Sequence, residues 1–381
     1  MNRTGHVVIA PDKFKGSLTA PEVAARVAAG LHRFRPELEV RLAPIADGGD
    51  GTLDAVRARG YAPVPVIVTG PSGRPIEAAF VLRDLTAVVE LAEASGLRRL
   101  AGGRLNPMNA SSRGAGDLIR AALDIGCTQV ILGLGGSACT DGGAGMLQAL
   151  GVRLLDGQGQ ELGPGGAALR SLHTVDLTGL DPRLAGTQVI LAGDVDNPLL
   201  GSTGAAAVYA PQKGATSAQI DELELALRHW AELLAAATGR DLSAAPGAGA
   251  AGGVGFAALT VFEADLRPGI DVVLELIDFD GLLPGAALVI TGEGSLDRQS
   301  LHGKAPVGVA TAAARHGVPT IAVAGQSTLT EPELRTGGLA AAYSLTSLEP
   351  DPAVCIADAG RLLEELVATV LAPDVLARAW L

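Results

Sequence analysis

The chain has 381 residues, 48% of them hydrophobic and 18% charged, with 51 glycines and 22 prolines. That composition belongs to a globular protein of two to three structural units and excludes a small disulfide scaffold or a disordered chain. A formal charge of −12, with no Lys/Arg run longer than two, argues against binding nucleic acid or an anionic membrane surface.

In chain order, His6–Ala10 reads as a short apolar strand, Pro11–Ser17 as a polar loop, and Thr19 with Glu22 as the capping box of a helix. Val23, Val27 and Leu31 fall on one stripe of that helix, and Val40–Ile45 is expected to be the next buried strand. Strand, helix, strand opens a parallel α/β sheet. A further helix is expected at Leu53–Arg59. Pro63–Thr69, Ile76–Leu82 and Ala87–Leu91 leave no room for helices between them and are expected to form hairpins. A helix at Ser112–Leu123, strands at Gln129–Leu132 and Val189–Ala192, and a long helix at Ser217–Thr238 follow. Leu242–Phe262 carries no charge over 21 residues, but its five glycines and Pro246 argue against a membrane span. Ala244–Gly255 within it is expected to be the most flexible segment. Strands at Ala287–Thr291, Thr320–Ala324 and Ala340–Leu345 then alternate with helices at Val307–His316 and Ala357–Leu371.

The fold class is therefore α/β, with two α/β domains. A doubly wound, Rossmann-like domain is expected from both chain ends, 1–69 and 285–381, with a mixed-sheet α/β domain inserted at 70–284. Cys127, Cys139 and Cys355 are too few and too scattered for a disulfide framework or a zinc site, which points to the cytoplasm. The N-terminus has no apolar core of signal-peptide type.

Ligands of open α/β sheets bind beyond the carboxyl ends of the strands, so the polar loops after strands are the candidates. In the first, Lys13, Lys15, Ser17 and a helix N-terminus can converge on a phosphate or carboxylate; the alternative is an ordinary capped loop. The second, Asp47-Gly48-Gly49-Asp50-Gly51-Thr52, suits a hydroxyl-rich ligand or a metal and lacks the calcium-loop pattern; such a loop is equally often a plain turn. The third runs from Gly133 to Gly145 with six glycines, including Gly135, Gly136, Gly142 and Gly143, beside Ser137 and Asp141. Glycines there let backbone amides approach phosphate. Its start matches G-x-G-x-x-A, and Asp156 sits where a ribose-binding acid of a dinucleotide fold would be expected. Gly247–Gly252 also spells G-x-G-x-x-G after a helix and a proline, so the pattern alone is weak. The fourth loop offers Asp194 and Asp196 for Mg²⁺ or for a substrate proton. The fifth, Gly292–Ser300, brings Glu293, Ser295 and Asp297 toward Gly303 and Lys304. His302 is the one histidine of six in a candidate loop. No P-loop, H-R-D or G-x-S-x-G motif occurs, which disfavours the common nucleotide hydrolase, protein kinase and esterase classes.

Taken together, the stretches APDKFKGSLTAPEVA, PIADGGDGT, VELAEASGL, SSRGAGDLI, LGGSACTDGGAGM, GDVDNPLLG, APQKGA, GIDVVLEL and TGEGSLDRQSLHGKAP make the chain resemble the type 1 glycerate kinase family over nearly its whole length. The resemblance implies ATP- and Mg²⁺-dependent phosphorylation of D-glycerate in glycerate and glyoxylate catabolism. The implied product is 2-phosphoglycerate, with the 3-isomer as the alternative. It implies an active site in the cleft between the two domains and leaves a homodimer open. On this basis Lys13, Lys15 and Asp194 are the expected catalytic residues, with Asp194 and Asp297 the metal candidates. Ser17, Asp47, Gly48, Gly49, Asp50 and Arg113 are expected to meet glycerate, Arg113 pairing with an anion or with a surface carboxylate. Gly135, Gly136, Ser137, Asp141, Gly142, Gly143, Gly292, Glu293 and Ser295 are expected to meet the nucleotide. The rival readings are a nicotinamide-dependent oxidoreductase using the Gly133 loop and a catalytically silent small-molecule sensor on the same scaffold.

Overall fold

A computed structural model of the protein describes residues 5–301 and 304–377. In chain order the strands are β1 (His6–Pro11), β2 (Val40–Leu42), β3 (Ala62–Thr69), β4 (Pro75–Arg83) and β5 (Thr86–Glu90). Then come β6 (Gln129–Gly133), β7 (Arg153–Asp156), β8 (Leu172–Asp176), β9 (Gln188–Ala192) and β10 (Asp265–Arg267). Last are β11 (Ala286–Leu296), β12 (Thr320–Ser327) and β13 (Ala342–Ser344). The chain divides into two compact α/β units.

One unit takes the chain up to Asp47, Asp54–Arg59 and the chain from Ile270 onward. Its sheet is parallel, in the order β13-β12-β11-β1-β2. Winding proceeds from β1 to β2 on one side and from β11 through β12 to β13 on the other. Neighbouring β1 and β11 therefore mark the reversal, where such sheets open a crevice at the strand ends. Helix Ala20–Phe34 starts where the sequence places it. Thr19 Oγ1 accepts the Glu22 N–H while the Glu22 carboxylate accepts the Thr19 N–H. Its Val23, Val27 and Leu31 stripe packs with Val7, Ile9, Leu288 and Ile290 of the sheet and with Leu363 and Leu366 near the C-terminus. Burying each such side chain stabilises the fold by about 1.5–3 kcal/mol.

The other unit comprises Gly48–Leu53 and Gly60–Gly269. Its sheet has the order β10-β9-β6-β5-β4-β3, in which β5, β6, β9 and β10 are parallel while β3, β4 and β5 form hairpins. Pro63 and Pro65 lie in β3 at the sheet edge, where a residue without an N–H costs no ladder bond. Helices Arg113–Ile125, Ser217–Thr238 and Ala250–Val261 contribute to its core around Phe80, Leu118, Leu132, Trp230 and Phe256.

Four expectations change. The units divide after Asp47, Leu53, Arg59 and Gly269, where 69/70 and 284/285 are expected; β3 pairs with β4 from Ala62↔Leu82 to Thr69↔Pro75 and so belongs with the inserted unit. The buried strand expected at Val40–Ile45 is a three-residue, partly exposed edge strand, after which the Ala43 and Ile45 N–H groups still bond to Ile9 O and Pro11 O. Half of the loop expected at Gly292–Ser300 is strand. Gly292 has no Cβ to strike Val323 O, which would lie 2.2 Å away, so pairing with β12 runs on through Glu293 and Ser295 to Leu296. Ala244–Gly255, expected to be the most flexible segment, is largely buried. A Cβ at Gly249 would sit 2.3 Å from Pro198 O and one at Gly252 would sit 2.1 Å from Cys139 O, so these glycines permit close packing. Among the described residues no helix is long and apolar enough to cross a membrane.

Candidate active site

In the end-built unit, the candidates gather beyond β1 and β11, at the reversal of the winding. Asp12 follows β1 directly; its N–H donates to Gly292 O at 2.8 Å and its Oδ1 accepts the Lys13 N–H at 2.7 Å. Asp12 is 8% exposed. Burial, with the Asp47 and Glu293 carboxylates adding to it and Lys13 opposing, raises its pKa to about 7. Lys13 is half-buried and Lys15 exposed, while the Ser17 hydroxyl donates to Phe14 O at 3.1 Å. A Cβ at Gly294 would lie 3.1 Å from the Lys15 nitrogen, so the Lys15 backbone crosses close over β11. Burial also raises the pKa of Glu293, opposed by Ser300 and Lys304, and its Oε1 is buried without a hydrogen-bond partner among the described residues. Ser295 Oγ accepts from Gln326 at 3.1 Å, and Asp297 Oδ1 accepts the Gln299 N–H at 2.8 Å. His302 and Gly303 lie outside the described residues.

In the inserted unit, Gly48–Asp50 lies across the carboxyl ends of β6 and β9. A Cβ at Gly48 would be 2.9 Å from Ala192 O, one at Gly133 would be 2.5 Å from Gly48 O, and one at Gly135 would be 2.6 Å from Gly49 Cα. Two backbone turns thus touch, which only glycines allow. Gly136, at φ +72°, faces Asp50, whose Oδ1 accepts from Arg98 at 3.0 Å. The turn is fixed from below by buried Glu90, whose Oε1 accepts the Leu53 N–H at 2.8 Å. Ser137 Oγ accepts from Lys213 Nζ at 2.9 Å. Exposed Asp194 follows β9, and its Oδ1 accepts the Gly269 N–H at 2.8 Å. The Arg113 guanidinium is half-buried and pairs with no carboxylate among the described residues.

Three residues expected at the nucleotide have another position. Asp141 is 0% exposed, and its carboxylate accepts the N–H groups of Ser112 (2.8 Å), Gly143 (3.2 Å) and Gly145 (3.3 Å) together with the Ser112 hydroxyl (2.9 Å). Burial raises its pKa and these donors oppose the rise, so Asp141 holds the loop from inside and touches no solvent. Gly142, at φ +63°, lies where a Cβ would be 2.4 Å from Trp230 Cδ1, and Gly143 faces Ala257 in the same way at 2.5 Å. Both are packing glycines. Gly142→Ala is expected to destabilise the protein by more than about 2 kcal/mol, read as a lower midpoint of denaturant unfolding. An unchanged midpoint would mean that Trp230 gives way freely.

The dinucleotide pattern also dissolves. Asp156 ends β7, which pairs with β8 in a separate two-stranded sheet, and its Oδ1 accepts the Gln158 and Gln160 N–H groups of its own turn. Sequence reasoning left Asp12 and Lys213 without roles, although both lie in the quoted stretches. Neither a buried carboxylate nor a buried ammonium can be told from an exposed one before the fold is known.

Comparison with known proteins identifies the family and the fold. The glycerate kinase family profile matches residues 7–373. A Bacillus subtilis protein named glycerate kinase is 46% identical over 342 residues, covering 89% of this chain and 90% of the relative. Escherichia coli glycerate 2-kinase is 43% identical over 346 residues, covering 90% and 91%. A crystal structure described provisionally as glycerate kinase 2 from Salmonella typhimurium superposes with a TM-score of 0.85 at 40% identity, covering 99% of this chain and all of the other. With a family match across both units and a shared fold over 99% of its length, the chain is a kinase and belongs to the glycerate kinase family.

Proposed function

We propose that the protein transfers the γ-phosphoryl group of ATP to a hydroxyl of D-glycerate with Mg²⁺, giving 2-phosphoglycerate in preference to the 3-isomer. The observation that carries this reading is the placement of Lys13, Lys15 and the buried carboxyl of Asp12 at the winding reversal of a doubly wound sheet. Phosphoryl transfer asks a protein for positioning and charge neutralisation. The glycerate hydroxyl oxygen attacks the γ-phosphorus, the bond from that phosphorus to the bridging oxygen breaks with ADP leaving, and the hydroxyl proton passes to a carboxylate.

The sequence points to Asp194 for that proton; its Oδ1 accepts the Gly269 N–H just as Asp12 Oδ1 accepts the Lys13 N–H, so backbone contacts do not separate the two carboxylates. Asp12, raised to about 7, matches the working pH better and is the favoured acceptor, with Asp194 left to orient substrate or metal. Lys13 and Lys15 neutralise the transferring group. Asp47, Gly48, Gly49, Asp50, Ser17 and Arg113 are proposed for glycerate, and Gly135, Gly136, Ser137, Gly292, Glu293 and Ser295 for the nucleotide.

Among the described residues no three carboxylate, imidazole or thiolate groups cluster to cage a metal. Mg²⁺ does not need such a cage, because it is held through one or two carboxylates, waters and substrate phosphates. Asp297 and the Oε1 of Glu293, which meets no hydrogen-bond donor among the described residues, fit that donor set. When bound, Mg²⁺ supplies neutralisation of the phosphate charge. The reading also assigns the enzyme to the reducing cytoplasm, where its three buried cysteines remain thiols.

Incubation with ATP, Mg²⁺ and D-glycerate, followed by ³¹P and ¹³C NMR, is expected to give ADP and a phosphate ester on C2. Folded protein that releases no ADP with glycerate, or that instead oxidises NAD(P)H with hydroxypyruvate, would reject the reading.

A further inference from the structure

Lys213 is 1% exposed, on a short turn at Pro211–Lys213, and is among the largest fully buried side chains of the protein. No carboxylate lies within ion-pair distance of it among the described residues; burial lowers its pKa, and Cys139 and Asp141 oppose that fall. An ammonium taken out of water without a paired carboxylate is costly, so its contacts are informative. Its Nζ donates to Ser137 Oγ at 2.9 Å and to Cys139 O.

That contact sets the role of the Ser137 hydroxyl. With one lone pair taken by an ammonium N–H, the hydroxyl cannot donate to the lysine, and its proton meets no acceptor among the described residues. Ser137 is 7% exposed and directly follows exposed Gly136 in the turn. The backbone around it is pinned on both sides, the Leu97 N–H donating to Gly136 O at 3.1 Å and the Ala138 N–H to Ser95 O at 2.9 Å. A hydroxyl polarised by a cation in a low-dielectric setting is a strengthened donor, and the charge behind it favours an anion in front.

We propose that Lys213 is a positioning residue that acts through Ser137, aiming the hydroxyl proton and a positive potential at a phosphate oxygen of the nucleotide. The inference rests on the assignment of the Gly135–Ser137 turn to ATP. It differs from a structural role, in which Lys213 would only tie the Cys139 carbonyl to the Pro211–Lys213 turn.

Equilibrium binding of ATP with Mg²⁺, measured by calorimetry beside thermal unfolding, separates the two. Ser137→Ala is expected to weaken ATP binding about 10- to 100-fold, the range of one charge-assisted hydrogen bond. Lys213→Met is expected to weaken it as well, by no more than Ser137→Ala does, and the double variant to bind within about two-fold of Ser137→Ala, because the lysine acts through the serine. Lys213→Gln, which keeps the donor and drops the charge, is expected to fall between wild type and Lys213→Met. Full wild-type affinity in Ser137→Ala overturns the inference even if Lys213→Met does not fold, and so does additivity of the two losses. Wild-type protein that binds glycerate but no ATP rejects the nucleotide assignment itself and the inference with it.

Discussion

Asp12→Asn is expected to lower kcat by about 100-fold or more while making the protein more stable above pH 7. The loss follows from removing a proton acceptor, which is worth about 10²–10⁴ in rate. The gain follows from burial. In the folded chain Asp12 holds its proton up to a pH of about 7, whereas in the unfolded chain it releases it near 3.8. Between those values the unfolded state has shed a proton that the native state keeps, so stability falls as pH rises through the window and the penalty is complete above about 7. At about 1.4 kcal/mol per pH unit this amounts to roughly 4 kcal/mol, which asparagine does not incur. Urea unfolding in metal-free buffer from pH 4 to 8, beside steady-state kinetics, tests both halves. If the variant's stability tracks wild type at every pH, Asp12 does not titrate as described. If kcat is unchanged, the proton goes elsewhere, and Asp194→Asn becomes the decisive variant.

Lys13→Met and Lys15→Met should each reduce kcat/KM by about 10²–10³, the scale of losing one preorganised charge at a developing anion. Their signatures should differ. Lys13 lies beside Asp12 and is the main charge holding its pKa down, so Lys13→Met should move the acidic limb of the pH–rate profile upward. Exposed Lys15 is not among the groups acting on Asp12, so its removal should leave that limb in place. Identical pH profiles for both variants would break the proposed link between Lys13 and Asp12, and wild-type kcat/KM in both would remove the lysines from the reaction.

Local chemistry carried much of the fold into the sequence. The Thr19–Glu22 capping box, the Val23/Val27/Leu31 stripe, the three hairpin strands before Glu90 and the helix at Ser217–Thr238 are set by neighbours along the chain, and each was legible there. The ordered polar stretches likewise sufficed to identify the family. What proximity in sequence could not reveal was which glycines serve a ligand and which serve packing. Gly135 and Gly142 read alike in one loop, yet Gly135 meets a second turn at Gly49 and Gly142 lies under Trp230.

Periodicity, capping and turn chemistry act over a few residues, so the α/β class, the alternation of elements and the loops that hold the charged groups are already readable along the chain. That Asp12, Asp141 and Lys213 lie out of water, and that Asp156 belongs to a separate two-stranded sheet, emerges only from the assembled fold. The reason is desolvation: the energy of a charge depends on what packs around it, and that packing comes from elements far away along the chain.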